Sequence, residues 1–242
     1  MSNSNETGID SLVGLFTKIN LINKVNVCYR TEDTGKIFEK AICLAYNIPY
    51  DGKYKYSIDQ AEKIKERLVK LPELFPQPLH TAKKGSRYDF TVGNLHLSAK
   101  TTKKGIGKVA PQVIGQCKPQ KFCDIVQIKF ENNTELKKNI QLNIKTILPI
   151  LVDYTFDCDN IFYNKEKDTI VYVKLIKPIN WEQNYNWTCG WETWNNSSTL
   201  KINNLAIVEF QFHTKSRTNM AIRWCYENVL NQFKDNFSLT FL

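Results

Sequence analysis

The sequence lacks an apolar run long enough to span a membrane. Its first ten residues, MSNSNETGID, contain neither the basic stretch nor the apolar core of a secretory signal. It also lacks internal repeats and low-complexity linkers. These features disfavour a membrane protein, a secreted protein and a repeat architecture, and we expect a cytoplasmic protein without membrane contacts.

Paired cysteines and histidines are also scarce. The seven cysteines are scattered without a Cys-x-x-Cys pair, and there are only three histidines, His80, His96 and His213. A zinc site or a disulfide framework would need closely spaced ligands or paired cysteines. A nucleophilic cysteine would need a histidine partner. The sequence therefore argues against these three kinds of site, and we expect no small-molecule cofactor.

What the chain does contain is enough apolar material for one substantial core. It has 242 residues, of which 42% are hydrophobic and 12% aromatic. We therefore expect one domain over residues 1–242. The formal net charge of +9 suits a polyanionic partner such as nucleic acid, although net charge alone indicates only non-specific association.

Helical patterns occur in five places. Residues 32–47 form the clearest one, with Thr34 as the expected cap and Glu39 on the helix. Its expected apolar stripe consists of Phe38, Ala41, Ile42 and Ala45. Further helices are predicted over residues 57–71, closed by Pro72, in a short segment from Pro111, and over residues 134–151 and 219–233.

Strand patterns alternate with these helices. We predict a hairpin over residues 88–100, a strand over 123–130, a hairpin over 161–178 around the turn KEKD, and one or two strands over 199–213. The mixed order predicts an α/β (α+β) fold with a central mixed β-sheet flanked by helices. Within it we expect a catalytic core at about residues 30–150 and a strand-rich recognition part at about 155–242.

The hairpin YDFTVGNLHLSAK separates two kinds of side chain. A two-residue turn at Gly93-Asn94 places Asp89 opposite Ser98, with Lys100 one side-chain repeat further on. The alternation also puts His96 on this polar face. It sends Tyr88, Phe90, Val92, Leu95, Leu97 and Ala99 to the other, apolar face. The polar face is either a solvated surface or a chemical site.

Basic residues flank the hairpin on both sides and favour a chemical site. Lys83, Lys84 and Arg87 precede it, and Lys103, Lys104 and Lys108 follow it in the glycine-containing loop TTKKGIGK. Such a loop can approach a phosphate backbone closely and supply both positive charge and backbone donors.

An acidic residue on one strand, a second strand ending in x-x-Lys, and a glutamate on an upstream helix together resemble the PD-(D/E)XK nuclease superfamily. In size the chain resembles the small type II restriction endonucleases of that superfamily. The resemblance implies that Asp89, Glu39 and the backbone carbonyl of Ala99 bind Mg²⁺. It also implies that Lys100 orients or activates the attacking water.

The sequence departs from the family pattern where a second acid is expected. Ser98 occupies that position, and Tyr88 replaces the proline. The expected helix after Pro111 offers Gln112 and Gln116 at i, i+4 spacing, but no acid. An amide oxygen is an uncharged metal ligand, so the group that completes the metal site in place of the missing acid is open to three alternatives. Either Glu39 completes the site, or a glutamine such as Gln116 does, or the site is inactive.

Near the C-terminus, VEFQFHTKSRTNMAIRW carries side chains that can contact base edges. Gln211, His213, Arg217, Asn219 and Arg223 are the candidates, because glutamine, arginine and asparagine form bidentate contacts with bases. Gln112 and the basic residues around the hairpin complete the expected DNA-binding set. The alternative reading of the C-terminal segment is a plain strand that ends in an exposed turn.

Together these features predict a Mg²⁺-dependent, sequence-specific endonuclease that cuts double-stranded DNA. We expect a homodimer, since cutting both strands of a symmetric site calls for two active sites related by a twofold axis. The alternatives are a non-catalytic DNA-binding protein with a nuclease-like fold, and a repair or junction-cleaving nuclease.

Overall fold

The computed structural model describes residues 30–83, 86–102, 107–183, 187–189, 197–212 and 219–242. Thr31–Leu242 is one compact unit. Its α-helices are α1 (Thr31–Ala45), α2 (Ile58–Lys65), α3 (Leu71–Leu74), α4 (Pro119–Val126), α5 (Asn133–Leu142), α6 (Ile144–Phe156) and α7 (Tyr226–Gln232). A 3₁₀ turn covers Lys234–Asn236.

The strands are β1 (Leu79–His80), β2 (Phe90–Val92), β3 (Leu95–Thr102), β4 (Lys108–Val109), β5 (Gln116–Cys117), β6 (Asp159–Asn164), β7 (Thr169–Leu175), β8 (Trp187–Cys189), β9 (Ser197–Ile202), β10 (Leu205–Phe212), β11 (Met220–Cys225) and β12 (Phe237–Phe241). They form two sheets, and the first has the order β1-β2-β3-β6-β7-β12. In it β3 and β6 run parallel, whereas the other neighbours are antiparallel.

Helix α1 packs against β3. The predicted mixed sheet with flanking helices is therefore confirmed. Strands β6 and β7 come from the part of the chain beyond residue 150, yet they continue the sheet that the hairpin begins. Residue 150 thus lies inside α6, and the two sheets are not divided at this point of the chain.

The second sheet is antiparallel, with the order β4-β11-β10-β9-β8, and β5 also pairs with β11. A continuous apolar core includes Phe122 of α4, Leu148 of α6, Phe162 of β6 and Trp224 of β11. Because this core takes residues from both sheets and from α6, it joins the first sheet to the second.

Several predicted elements are confirmed. Helix α1 buries Phe38, Ala41 and Ile42, as its apolar stripe predicts. The hairpin around KEKD is β6–β7, and the strands predicted over 199–213 are β9 and β10. These two turn at Asn203 and Asn204, whose φ angles of 50° and 65° are those that a tight hairpin turn requires.

Other predictions are wrong. The segment after Pro111 is a turn followed by β5, and Val113 has a φ of 64°, which no helix accommodates. The strand predicted over 123–130 is instead the second half of helix α4, up to Val126, and irregular chain after it, because Pro119 starts a helix that buries Phe122 and Val126 on one side.

Helix boundaries also differ from those predicted. Thr34 lies inside α1 and is buried, so it does not cap the helix. Helix α2 ends at Lys65, and Pro72 lies in the separate helix α3. The helix predicted over 134–151 breaks at Asn143 into α5 and α6, and the one predicted over 219–233 begins as β11.

Five of the cysteines are buried and have free thiols: Cys43, Cys117, Cys123, Cys158 and Cys225. Burial raises the pKa of each of these thiols. None of the helices in the described ranges is long and apolar enough to cross a membrane.

Candidate active site

The hairpin of β2 and β3 holds the Asp89 carboxylate at its open end. Phe90 pairs with Leu97 and Val92 with Leu95, so the predicted register is confirmed. The Ser98 hydroxyl donates a hydrogen bond of 3.1 Å to Asp89 Oδ2, and the backbone N–H of Ala99 donates one of 2.7 Å to the same oxygen. Two hydrogen-bond donors converge on Oδ2 and fix the position of this carboxylate. Neither of these two hydrogen bonds uses the other oxygen, Oδ1.

The predicted division of the hairpin into an apolar face and a polar face is only partly correct. Phe90 and Leu97 are buried as predicted, but Ser98 is also completely buried. Leu95, at the turn, is 54% exposed. Adjacent residues of a strand point to opposite faces, and Leu97 and Ser98 are both buried, so both faces of β3 are covered near Ser98. Burial and its bond to Asp89 exclude the solvated-surface reading for Ser98.

Glu39 of α1 approaches this site from another element. Burial raises the pKa of its carboxyl above the usual range, and the negative charge of Asp89 adds to the increase, whereas His80 and Lys100 oppose it. The Glu39 side chain is 19% exposed, and its Oε2 lies 3.7 Å from Nε2 of His80. The structure thus brings Asp89 and Lys100 close enough to Glu39 to influence the ionisation of its carboxyl.

Lys100 is half-buried on β3, two residues after Ser98. Its positive charge also acts on the Cys158 thiol, where it opposes the increase in pKa that burial causes. Cys158 in turn lies 3.5 Å (Sγ) from Nε2 of Gln112. The charge of Lys100 therefore acts both on Glu39 and on Cys158, which contacts a buried polar cluster.

That buried polar cluster centres on Thr155 of α6. The Thr155 carbonyl accepts hydrogen bonds from the side-chain amides of Asn160, at 2.9 Å, and Gln112, at 3.4 Å. The Thr155 hydroxyl accepts one from the indole N–H of Trp224 at 2.8 Å. Asn160 is the register partner of Ser98 across β3 and β6. The cluster therefore links the strand that carries Ser98 and Lys100 to β11 of the second sheet.

The two candidate glutamines occupy different environments. Gln112 is buried in the Thr155 cluster, with 6% of its surface exposed. Gln116 is exposed on β5 of the second sheet. The helical i, i+4 relation assumed for them does not exist, because the intervening chain is a turn. Burial also leaves Gln112 little surface to offer to DNA.

Arg87 and Tyr88 contact protein groups beside the hairpin. Arg87 Nη2 lies 3.2 Å from Asp153 Oδ2 and 2.9 Å from Asp157 Oδ2. The Tyr88 ring stacks on His96, with ring centroids 4.0 Å apart. Tyr88 therefore does not belong to the apolar face as predicted, because it lies before β2 begins and its ring packs on a polar-face residue.

The remaining DNA-binding candidates with described positions lie mostly on the second sheet. Lys108 Nζ is 3.0 Å from Glu209 Oε1, and Arg223 Nη1 is 3.3 Å from Glu209 Oε2. Arg223 also donates to the side-chain oxygen of Gln211. Asn219 is half-buried just before β11. The other candidates, Lys84, Lys103, Lys104, His213 and Arg217, lie outside the described residues.

The side-chain oxygens of Asp89 and Glu39 are ligands of the type that suits Mg²⁺ better than Zn²⁺. Within the described ranges, no group of three or more His, Cys, Asp or Glu side chains is placed to hold a metal ion. Zinc sites need such a set of protein ligands. Mg²⁺ is held by one or two carboxylates, with waters and substrate phosphates as its other ligands. Asp89 and Glu39 fit that second pattern.

Comparison with known proteins finds a protein of similar sequence. The chain is 43% identical over 217 residues to a protein of Paramecium bursaria Chlorella virus 1 named type II restriction enzyme CviAII. The match covers 88% of this chain and 63% of that protein, so the chain spans less than two thirds of its relative. No family model matches the chain, and no solved structure matches it.

Proposed function

We propose that the chain is a Mg²⁺-dependent, sequence-specific endonuclease that cuts double-stranded DNA, of the type II restriction kind. The observation that carries the proposal is the Asp89 carboxylate, fixed by Ser98 and Ala99 and accompanied by Glu39 and Lys100. The relative that bears the name of a type II restriction enzyme supports the same activity.

In this proposal Asp89 and Glu39 bind the metal ion together with the Ala99 carbonyl. The N–H of Ala99 points toward Asp89. In an antiparallel ladder, a residue directs its N–H and its C=O toward the same neighbouring strand, so the Ala99 carbonyl faces the Asp89 side. When bound, Mg²⁺ neutralises charge on the scissile phosphate and lowers the pKa of a coordinated water.

The chain's own residues supply the rest of the chemistry. Lys100, whose charge acts on Glu39, orients the water whose oxygen attacks phosphorus while the bond to the 3′ oxygen breaks; the water loses a proton to the solvent and the 3′ oxygen takes one up. Ser98 acts as a hydrogen-bond donor to Asp89, and this explains a serine where the family pattern has an acid. Glu39 then provides the second carboxylate, as the first of the three alternatives from the sequence requires.

We further propose that two copies act together as a homodimer. A cut in both strands of a symmetric site needs two active sites related by a twofold axis, and each chain has one Asp89–Lys100 site. The net charge of +9 favours association with the DNA backbone.

A digest of long linear duplex DNA tests the activity. With Mg²⁺ we expect discrete fragments, and with a chelator we expect intact DNA. Lys100→Ala, purified in the same way, is expected to leave the DNA intact in Mg²⁺, because the attacking water loses its orienting group. Intact DNA held in a tight complex by the wild type would instead support the non-catalytic alternative, and random or structure-dependent nicks would support a repair nuclease.

Ser98→Ala tests the donor role of this residue. We expect cleavage to slow by about 10- to 100-fold, since groups that orient a metal ligand typically contribute this much. Single-turnover cleavage rates measure the effect, and Ser238→Ala, at an exposed position of β12, is the matched control. An unchanged rate in Ser98→Ala would contradict the donor role.

A further inference from the structure

His80 lies next to the candidate active site and takes no part in the chemistry proposed above. Its strand, β1, pairs with β2, and His80 is the register partner of Phe90, which follows Asp89 in the chain. The side chain is only 1% exposed. Its ring stacks on Tyr50, with centroids 4.8 Å apart, and packs against Phe90 at 5.0 Å.

The contacts of His80 define which ring nitrogen carries the proton in the neutral form. The backbone N–H of Asp51 donates a hydrogen bond of 2.9 Å to Nδ1. A nitrogen that accepts a hydrogen bond has no proton, so the proton of the neutral imidazole is on Nε2. The Asp51 backbone therefore selects the tautomer that presents an N–H on the side of Glu39.

The Nε2 atom has one acidic neighbour. It lies 3.7 Å from Glu39 Oε2, about 0.7 Å beyond a usual N–H···O distance of about 3.0 Å. Within the described part of the chain, this buried nitrogen has no closer hydrogen-bond partner. A buried N–H without a partner is costly, so a small movement of the Glu39 carboxylate toward it is favourable.

We propose that His80 is a positioning residue that orients the Glu39 carboxylate for metal binding. This inference rests on the proposed function, because it takes Glu39 as a metal ligand. The Asp51 backbone N–H fixes the tautomer of the His80 ring, and the resulting Nε2–H orients Glu39. Carboxylates that bind metals are commonly held by such outer hydrogen bonds, whose loss lowers metal affinity about 10- to 100-fold.

Two substitutions separate this role from simple packing. His80→Phe keeps an aromatic ring between Tyr50 and Phe90 but removes the N–H. His80→Gln keeps an N–H donor at a similar reach but removes the ring. If His80 positions Glu39, metal affinity falls about tenfold in the Phe variant and stays within about threefold of wild type in the Gln variant. If His80 only packs, the order is reversed.

The measurement is calorimetric titration of the full chain with Mg²⁺ and with Ca²⁺, with thermal unfolding as the check on folding. Glu39→Gln is combined with His80→Phe in a double-mutant cycle. We expect His80→Phe to have no further effect on metal affinity once Glu39 is Gln. Wild-type affinity in His80→Phe, or equal losses with and without Glu39, would overturn the inference. A wild type that binds neither cation would overturn the proposed metal site as well.

Discussion

Asp89→Asn is expected to slow DNA cleavage by about a thousandfold or more. A metal ion that binds the reacting phosphate contributes several kcal/mol of transition-state stabilisation, and each 1.36 kcal/mol corresponds to about tenfold in rate. Asparagine removes the charge that is proposed to bind the metal but keeps the size and one oxygen of the side chain. That oxygen can still accept the bonds from Ser98 and Ala99, so the hairpin is expected to fold as before.

The effect of Asp89→Asn on DNA binding should differ from its effect on cleavage. Removal of a negative charge beside the substrate phosphates reduces repulsion, so affinity for duplex DNA without metal is expected to stay equal or to increase. Single-turnover cleavage and a gel-shift titration measure the two quantities. Asp235→Asn, at an exposed position, is the control and should change neither. Wild-type cleavage by Asp89→Asn would remove Asp89 from the active site.

Glu39→Gln is expected to have opposite effects on stability and on cleavage. Because burial raises the pKa of this carboxyl, its ionised form is unfavourable in the folded, metal-free protein. Neutral glutamine avoids that cost, so the metal-free variant should unfold a few degrees above the wild type at neutral pH. Cleavage should fall about a hundredfold or more, since the proposed second metal ligand is lost.

The sign of the pH dependence follows from the direction of the pKa shift. Glu39 has a raised pKa in the folded state, so the unfolded chain releases this proton first, starting near the ordinary carboxyl pKa of 4.5. The stability advantage of Glu39→Gln is therefore absent below that value and grows as the pH rises through the folded-state pKa. Thermal unfolding between acid and neutral pH measures it, with Glu73→Gln, at an exposed position of α3, as the control.

Added Mg²⁺ should reverse the order of stability. A cation that binds only the folded protein stabilises it according to its affinity, and the wild type has the full carboxylate pair. The wild type is thus expected to gain more thermal stability from Mg²⁺ than Glu39→Gln does. If Glu39→Gln were less stable than wild type without metal, the carboxylate would have a structural role instead.

The centre of the candidate site could be predicted because it depends on local pattern. The register of β2 and β3 follows from the two-residue turn and the alternation of side chains, and it fixes Asp89 opposite Ser98. Glu39 lies on a helix whose apolar stripe is clear in the sequence. The environment of Ser98 was harder to predict, because its burial depends on β6, more than fifty residues later in the chain.

The interactions that the sequence did not reveal are long-range ones. Arg87 contacts Asp153 at a separation of 66 residues, and Lys108 contacts Glu209 at a separation of 101. Neither contact has a local signature, so the sequence alone predicts that both cations contact DNA. His80 follows the prolines of PELFPQPLH, a connection without a pattern of its own; pairing of β1 with β2 places it beside the hairpin, and its Nε2 lies 3.7 Å from Glu39 Oε2.

The region between Pro111 and Phe130 was mispredicted for a different reason. Alternating apolar residues in CDIVQIKF resemble a strand, but Phe122, Cys123 and Val126 together cover one side of a helix. Short apolar segments fit both periods, and the surrounding core decides between them. Here the core that includes α6 selects the helix.

The buried thiols have a practical consequence for spectroscopy. Alkylating reagents attack thiolates, and Cys43, Cys117, Cys123, Cys158 and Cys225 are both inaccessible and held as thiols by burial. A fluorophore or spin label directed to an introduced surface cysteine should therefore spare these five positions in the folded protein. With Cys28 and Cys189 replaced as well, a label would report on the introduced cysteine alone, and distances between two labelled copies would test the proposed dimer.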